Sequence, residues 1–222
     1  MWDLDGTLID SAPDLASALN LLLREHGQPA LDTAAVRSMI GDGAVKLIER
    51  GFAAAGHAMA ARQSVPLLDR FLQIYATCAT DRTVLYAGAR TALQAFQDAG
   101  VGQGICTNKP EGVTRQILNS LSIAPYFSAV VGGDTAAAKK PDPSPLRDCL
   151  RELGAAPADG LLIGDSGVDV ATARAVPMPV GIVTHGYARA PVANLGADFL
   201  IDCLSSLPGD VLAGRLTAAA PA

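Results

Sequence analysis

Gly104-Ile105-Cys106-Thr107-Asn108-Lys109 runs a short apolar segment straight into a hydroxyl, an amide and a cation. The same plan recurs in Ala129-Val130-Val131 followed by Gly132-Gly133-Asp134, and in Leu161-Leu162-Ile163 followed by Gly164-Asp165-Ser166. Two further runs, Val180-Gly181-Ile182-Val183 and Phe199-Leu200-Ile201, close the series. Between them Ala89–Ala99, Glu111–Leu121, Pro143–Leu153 and Asp169–Ala175 carry apolar residues at helical spacing. Apolar runs this short, without polar alternation, read as strands buried on both faces; alternated with helices they read as parallel strands joined by crossovers. The predicted fold is α/β: an open, parallel, Rossmann-like sheet flanked by helices, with Met1–Asp5 as the end of one more strand.

Residues 13–82 break this rhythm. Leu15, Leu19, Leu22 and Leu23, then Val36, Met39 and Ile40, then Val45, Leu47 and Ile48, then Leu67, Leu68, Phe71, Leu72 and Tyr75 give helical periodicity without an obvious strand. The stretch balances its acidic and basic residues, so the remainder carries the whole net charge of −5. It reads as a helical insertion between the first strand and the rest of the sheet. Thr217–Ala222 reads as an Ala-rich tail.

Composition narrows the function. The 222 residues are 50% hydrophobic and 18% charged, too apolar for a disordered chain and enough for a sizeable core. A mild negative charge argues against nucleic acid as a partner, since phosphate neutralisation needs a basic face. No stretch reaches the roughly 18 unbroken apolar residues that a spanning helix needs, so no membrane span is expected. The amino terminus as given shows no basic segment leading into an apolar run, so no secretion signal is expected. Cys78, Cys106, Cys149 and Cys203 lie far apart without metal-ligand spacing and read as reduced thiols of a cytoplasmic protein.

In an open parallel sheet, ligands gather at the carboxyl ends of the strands. There the chain offers Asp3 and Asp5, Thr107 and Asn108, Lys140, and Asp165 with Asp169 one helical turn on. This set suits phosphoryl transfer to a carboxylate. A phosphate ester repels anionic nucleophiles, so a hard cation such as Mg²⁺, held by one or two carboxylates, must neutralise its oxygens. Asp3 is placed to attack phosphorus and form an acyl-phosphate. Asp5 is placed to protonate the leaving oxygen and then to deprotonate the water that resolves the intermediate. Thr107, Asn108 and Lys140 are expected to hold the phosphoryl oxygens, with Lys140 also restraining Asp3.

Asp3-Leu4-Asp5-Gly6-Thr7-Leu8-Ile9-Asp10-Ser11 resembles the first motif of the haloacid dehalogenase superfamily of phosphohydrolases. Thr107, Lys140-Pro141, and Gly164-Asp165 through Asp169 match its second, third and fourth motifs in order. The resemblance implies an α/β core over 1–12 and 83–222, and a small helical cap over 13–82. It implies catalysis by Asp3, Asp5 and Lys140, Mg²⁺ held by Asp3, Asp5 and Asp165, and a supporting role for Ser166 and Asp169. Ser11-Ala12-Pro13-Asp14-Leu15, Thr107-Asn108-Lys109-Pro110 and Gly132-Gly133-Asp134 are most similar to the phosphoglycolate phosphatase branch. The implied partner is a small phosphomonoester, led by phosphoglycolate, acted on by a monomer or homodimer. Other small esters such as sugar phosphates, a hexose-phosphate mutase, and a non-enzymatic phosphate-binding relative stand as alternatives. Only Met1 and Trp2 precede Asp3, so the natural start is expected upstream.

Substrate choice is expected from Gly41-Asp42-Gly43-Ala44-Val45-Lys46, a glycine-flanked turn opening a helix. Gly41 and Gly43 permit close backbone approach, the helix start offers free N–H donors to an anion, and Lys46 is expected to add charge. Gly164-Asp165-Ser166-Gly167 also resembles the segment around a trypsin-like serine, but the α/β alternation opposes that reading. Lys139, Asp134, Asp10 and the three histidines, His26, His57 and His185, are expected to be structural or solvated.

Overall fold

The computed structural model describes residues 1–57 and 63–214; Thr217–Ala222, expected to be a tail, lies outside the described residues. Met1–Asp3 sits at the centre of the sheet. After it come a two-residue strand β1 (Ile9–Asp10) and four helices: α1 (Ala12–Glu25), α2 (Thr33–Arg37), α3 (Ala44–Ala54) and α4 (Ser64–Cys78). Strand β2 (Val84–Leu85) returns antiparallel to β1, pairing Ile9 with Leu85. This small ladder, where the chain leaves the sheet for the helices and comes back, is not anticipated from sequence. Two paired residues per strand are too few for a period to register.

The alternating half then runs α5 (Ala89–Asp98), β3 (Gly104–Cys106), α6 (Glu111–Ser120), β4 (Ala129–Val131), α7 (Ser144–Leu153), β5 (Leu162–Gly164), α8 (Gly167–Arg174), β6 (Val180–Val183), β7 (Phe199–Ile201) and α9 (Leu207–Leu212). Parallel pairs join β3 to β4, β5 to β6, and β6 to β7. Met1–Asp3 closes the gap between the two sets. The Trp2 amide donates to Gly104 and its carbonyl accepts from Cys106, both at 2.8 Å, while the Asp3 amide donates to Ile163 at 2.8 Å. The order is thus β4, β3, Met1–Asp3, β5, β6, β7, the open parallel sheet that the apolar runs predict.

Every residue of β3 to β6 is buried, which explains the unbroken apolar runs. Burying one Leu or Ile fully contributes about 1.5–3 kcal/mol, so strands of three residues persist through packing rather than through ladder length. In the helical insertion, Leu19, Leu22 and Leu23 of α1 and Phe71 and Tyr75 of α4 are all buried. The buried Asp14 ties the ends of the insertion together by accepting from the Arg82 and Thr83 amides and the Thr83 hydroxyl. All four cysteines are free thiols. No helix among the described residues is long and apolar enough to cross a membrane.

Candidate active site

The carboxyl edge of the sheet gathers the predicted groups. Asp3 leaves the central segment, Lys140 follows β4 in the loop toward α7, and Asp165 and Asp169 flank the start of α8. Lys140 Nζ lies 3.0 Å from Asp3 Oδ1 and 2.6 Å from Asp169 Oδ1. The other oxygen of Asp169 accepts from Ser166 Oγ at 2.7 Å, the Ser166 amide at 3.1 Å and the Asp165 amide at 3.3 Å. This is a capping box on α8 whose acid also anchors a lysine from another loop. Asp169 is therefore a positioning group with both oxygens engaged, and Ser166 helps to fix it.

Asp165 accepts from the Tyr187 amide at 2.6 Å. It is packed so closely that a Cβ at Gly6 would stand 2.2 Å from its Oδ2, and one at Gly186 would stand 2.2 Å from its Cβ. Gly6 also has φ +85°, so only glycine satisfies both the conformation and the space there.

Asp3, Asp165 and Asp169 are all buried and offer one oxygen each within 4.8 Å of one another. One ammonium, Lys140, faces these three carboxylates. The imbalance is visible in the acidity of Asp3 and Asp165. Burial, with repulsion from Asp169 and Asp5, pushes Asp3 up to about 6 against the attraction of Lys140. Asp165 is likewise raised well above the ordinary range, by burial and by repulsion from Asp169 and Asp3. Burial opposes the charge on Lys140, but Asp169 and Asp3 outweigh it and hold the ammonium protonated. Buried oxygen donors carrying excess negative charge fit a hard divalent cation.

Asp5 directs its carboxylate elsewhere. It accepts from Ser11 Oγ and, on both oxygens, from Lys109 Nζ at 2.8 and 3.0 Å. Lys109 is 5% exposed and also donates to the Tyr75 hydroxyl at 2.8 Å. Neither residue has an assigned role in the sequence reading: Lys109 stands there only as the cation that ends a strand-end motif, and Tyr75 as one more apolar position of the insertion. The available signal was the place of Lys109, directly behind Thr107-Asn108 at a strand end.

Thr107 and Asn108 are buried. Thr107 Oγ1 accepts from the Lys109 amide, and Asn108 Nδ2 donates to the carbonyls of Lys140 at 3.0 Å and Gly41 at 3.2 Å. Neither side chain caps α6, whose N-cap is Pro110. Asn108 Oδ1 has no partner among the described residues.

Over this edge lies a cavity whose floor includes Asp3, Asp5, Thr107, Asn108 and Lys109, and whose roof comes from the insertion, including Gly41, Gly43, Leu47, Phe71 and Tyr75. Gly43, with φ +87°, opens α3 without a side-chain cap. The turn is held down by Arg189, which follows β6 and donates to the carbonyls of Ser38 and Ile40 at 2.9 Å and to Asp42. Lys46 is not brought to the cavity. It lies on the outward side of α3, 56% exposed, with its ammonium 2.7 Å from Glu49. Asp134 accepts from the Glu111 amide, Asp10 pairs with Arg37, and His26 and His57 pack against Phe52. His185 packs against Tyr86 and meets the Thr7 carbonyl at 3.1 Å.

Residues 1–183 match the family model described as haloacid dehalogenase-like hydrolase. A phosphoglycolate phosphatase of Rhodospirillum rubrum is 46% identical over 218 residues, covering 96% of this chain and 89% of its own. One from Caulobacter vibrioides is 38% identical over 93% of this chain and 87% of its own. The crystal structure of a predicted phosphoglycolate phosphatase from Haemophilus somnus superposes with a TM-score of 0.87 at 28% identity, covering 95% of this chain and 96% of that one. A match over most of the chain, to a family whose motifs fall on the strand ends just described, makes this protein a member of the haloacid dehalogenase-like hydrolases.

Proposed function

We propose that this chain is a Mg²⁺-dependent phosphomonoester hydrolase that converts 2-phosphoglycolate to glycolate and phosphate through a phosphoryl group carried on Asp3. The observation that carries the reading is the buried set of Asp3, Lys140, Asp165 and Asp169. Asp3 attacks phosphorus while the ester P–O bond breaks, and Asp5 gives the departing glycolate oxygen its proton. Asp5 then takes a proton from water as that water attacks phosphorus, the bond to Asp3 breaks, and phosphate leaves. Lys140, locked by Asp169, keeps the Asp3 carboxylate in one orientation and meets the charge that develops on the phosphoryl oxygens. Thr107 and Asn108 hold those oxygens from the other side, Asn108 through its main-chain amide. Asp3, Asp165 and the main-chain carbonyl of Asp5 would hold Mg²⁺, which when bound would supply the positive charge that lets an anionic nucleophile approach an anionic ester.

The substrate class follows from the small cavity and from the relatives named phosphoglycolate phosphatase. In this reading residues 13–82 act as a cap. Its Gly41–Gly43 turn covers the ester and excludes bulk water, leaving one activated molecule near Asp5. A panel of phosphate esters assayed with and without Mg²⁺ tests the reading. Phosphoglycolate is expected to give the highest kcat/KM, and full activity in chelator would sink the metal mechanism.

A further inference from the structure

The cavity is walled largely by apolar side chains, among them Leu15, Ile40, Leu47 and Phe71, and Lys109 is the one cation among the described residues that line it. A second anionic group entering this space loses its water against those walls, a cost offset only by a cation or by strong donors. Lys109 reaches the cavity from the loop after β3, with its ammonium on both oxygens of Asp5. Tyr75 brings a second donor. Its hydroxyl accepts from Lys109 at 2.8 Å, while its own proton meets no acceptor among the described residues. Lys109 Nζ already donates to both Asp5 oxygens and to Tyr75, so an anion arriving in the cavity would take the Tyr75 proton and displace one Asp5 oxygen from the ammonium.

We propose that Lys109 Nζ and Tyr75 Oη together receive the carboxylate of the substrate and set the preference for a carboxylated over an uncharged alkyl phosphate. This rests on the phosphatase reading above and deepens it. The two donors come from separate parts of the chain, Lys109 from the loop after β3 and Tyr75 from α4 of the insertion. The clamp is therefore complete only when α4 lies over the strand ends. It also supplies the charge expected from Lys46, which the fold turns outward.

The test compares 2-phosphoglycolate with ethyl phosphate, which has the same two-carbon skeleton without the carboxylate. The readout is the ratio of the two kcat/KM values. In Tyr75→Phe, which keeps the ring and the packing, the ratio should fall about tenfold, the scale of one charged hydrogen bond, mainly through KM for phosphoglycolate. In Lys109→Met it should fall further. That variant leaves Asp5 without its cation and can cost folding, so Tyr75→Phe carries the test alone if Lys109→Met does not fold. An unchanged ratio in Tyr75→Phe, or equal losses on both esters, overturns the clamp. A wild-type enzyme that does not favour phosphoglycolate over ethyl phosphate overturns the phosphoglycolate reading itself, and is seen before any variant is made.

Discussion

Lys140→Met isolates the electrostatics of the site. The side chain is 2% exposed and its ammonium lies 3.0 Å from Asp3 and 2.6 Å from Asp169, with Asp165 in the same buried cluster. Methionine fills nearly the same volume, so packing changes little and the loss is the charge. Two attractions disappear and the repulsion among three carboxylates remains, which together outweigh the relief of no longer burying an ammonium. Removing one partner of a buried ion pair costs about 3–5 kcal/mol. For a chain of this length each kcal/mol lowers Tm by about 2–4 °C, so the metal-free variant should melt roughly 6–20 °C below wild type at pH 7. The pH dependence carries the sign. Asp3 already sits at about 6 in the folded protein against an ordinary 3.8, and losing Lys140 raises it further. The native state then binds more protons than the unfolded one between those values, so stability falls as pH rises through that window. Lowering the pH from 7.5 to 5 should restore a large part of the lost Tm in the variant, while the ion-paired carboxylates Asp10, Asp42 and Asp198, held below the ordinary range, stay ionised. Calorimetry of both proteins in chelator at the two pH values measures this. A variant within 2 °C of wild type at pH 7, or one that gains nothing at pH 5, would refute the balance of charge argued for the site.

Three further outcomes follow from the same geometry. Mg²⁺ should raise the Tm of the wild-type protein more at pH 7.5 than at pH 5, because at pH 5 it must first displace protons from Asp3 and Asp165; equal shifts would place the cation elsewhere. Gly43→Val should raise KM for phosphoglycolate at least about fivefold and destabilise by about 1–2 kcal/mol, since φ is +87° and the new Cβ would stand 3.2 Å from Lys139 Nζ; steady-state kinetics and melting check the two parts. Lys46→Ala should leave KM within twofold and Tm within about 1 °C, because an exposed i,i+3 ion pair contributes little; a larger change in KM would return Lys46 to the site.

The sheet was legible because β3 to β6 are buried on both faces, and because the edge strand β7 keeps an apolar run although Leu200 is exposed. Gly104–Cys106, Ala129–Val131, Val180–Val183 and Phe199–Ile201 are strands at the bounds set by their apolar runs, and the β5 strand is shifted by one residue, to Leu162–Gly164. The helix after it starts at Gly167 rather than Asp169, because Ser166 and Asp169 form a capping box that periodicity does not register. Asp3, Asp5 and Asp165 could be found because they stand at strand ends, and Lys140 because it lies in the loop that leaves β4 at the same edge, where ligands collect. Groups reaching that edge from elsewhere were not legible. Tyr75 belongs to a helix with its own apolar stripe, and nothing in a linear reading marks it as the hydroxyl that meets Lys109. Arg189 and the Tyr187 amide act through contacts across 147 and 22 residues, which only the folded chain creates. Lys46 misled because its position in the helix was right while its face was not.

The central claim is that Asp3 carries the phosphoryl group, and acid-quenched trapping tests it most directly. Wild-type protein mixed with Mg²⁺ and ³²P-labelled phosphoglycolate, quenched within one turnover and digested, should give a hydroxylamine-labile label on the peptide holding Asp3, and Asp3→Asn should give none. Label on any other residue, or label retained in Asp3→Asn, would contradict the mechanism.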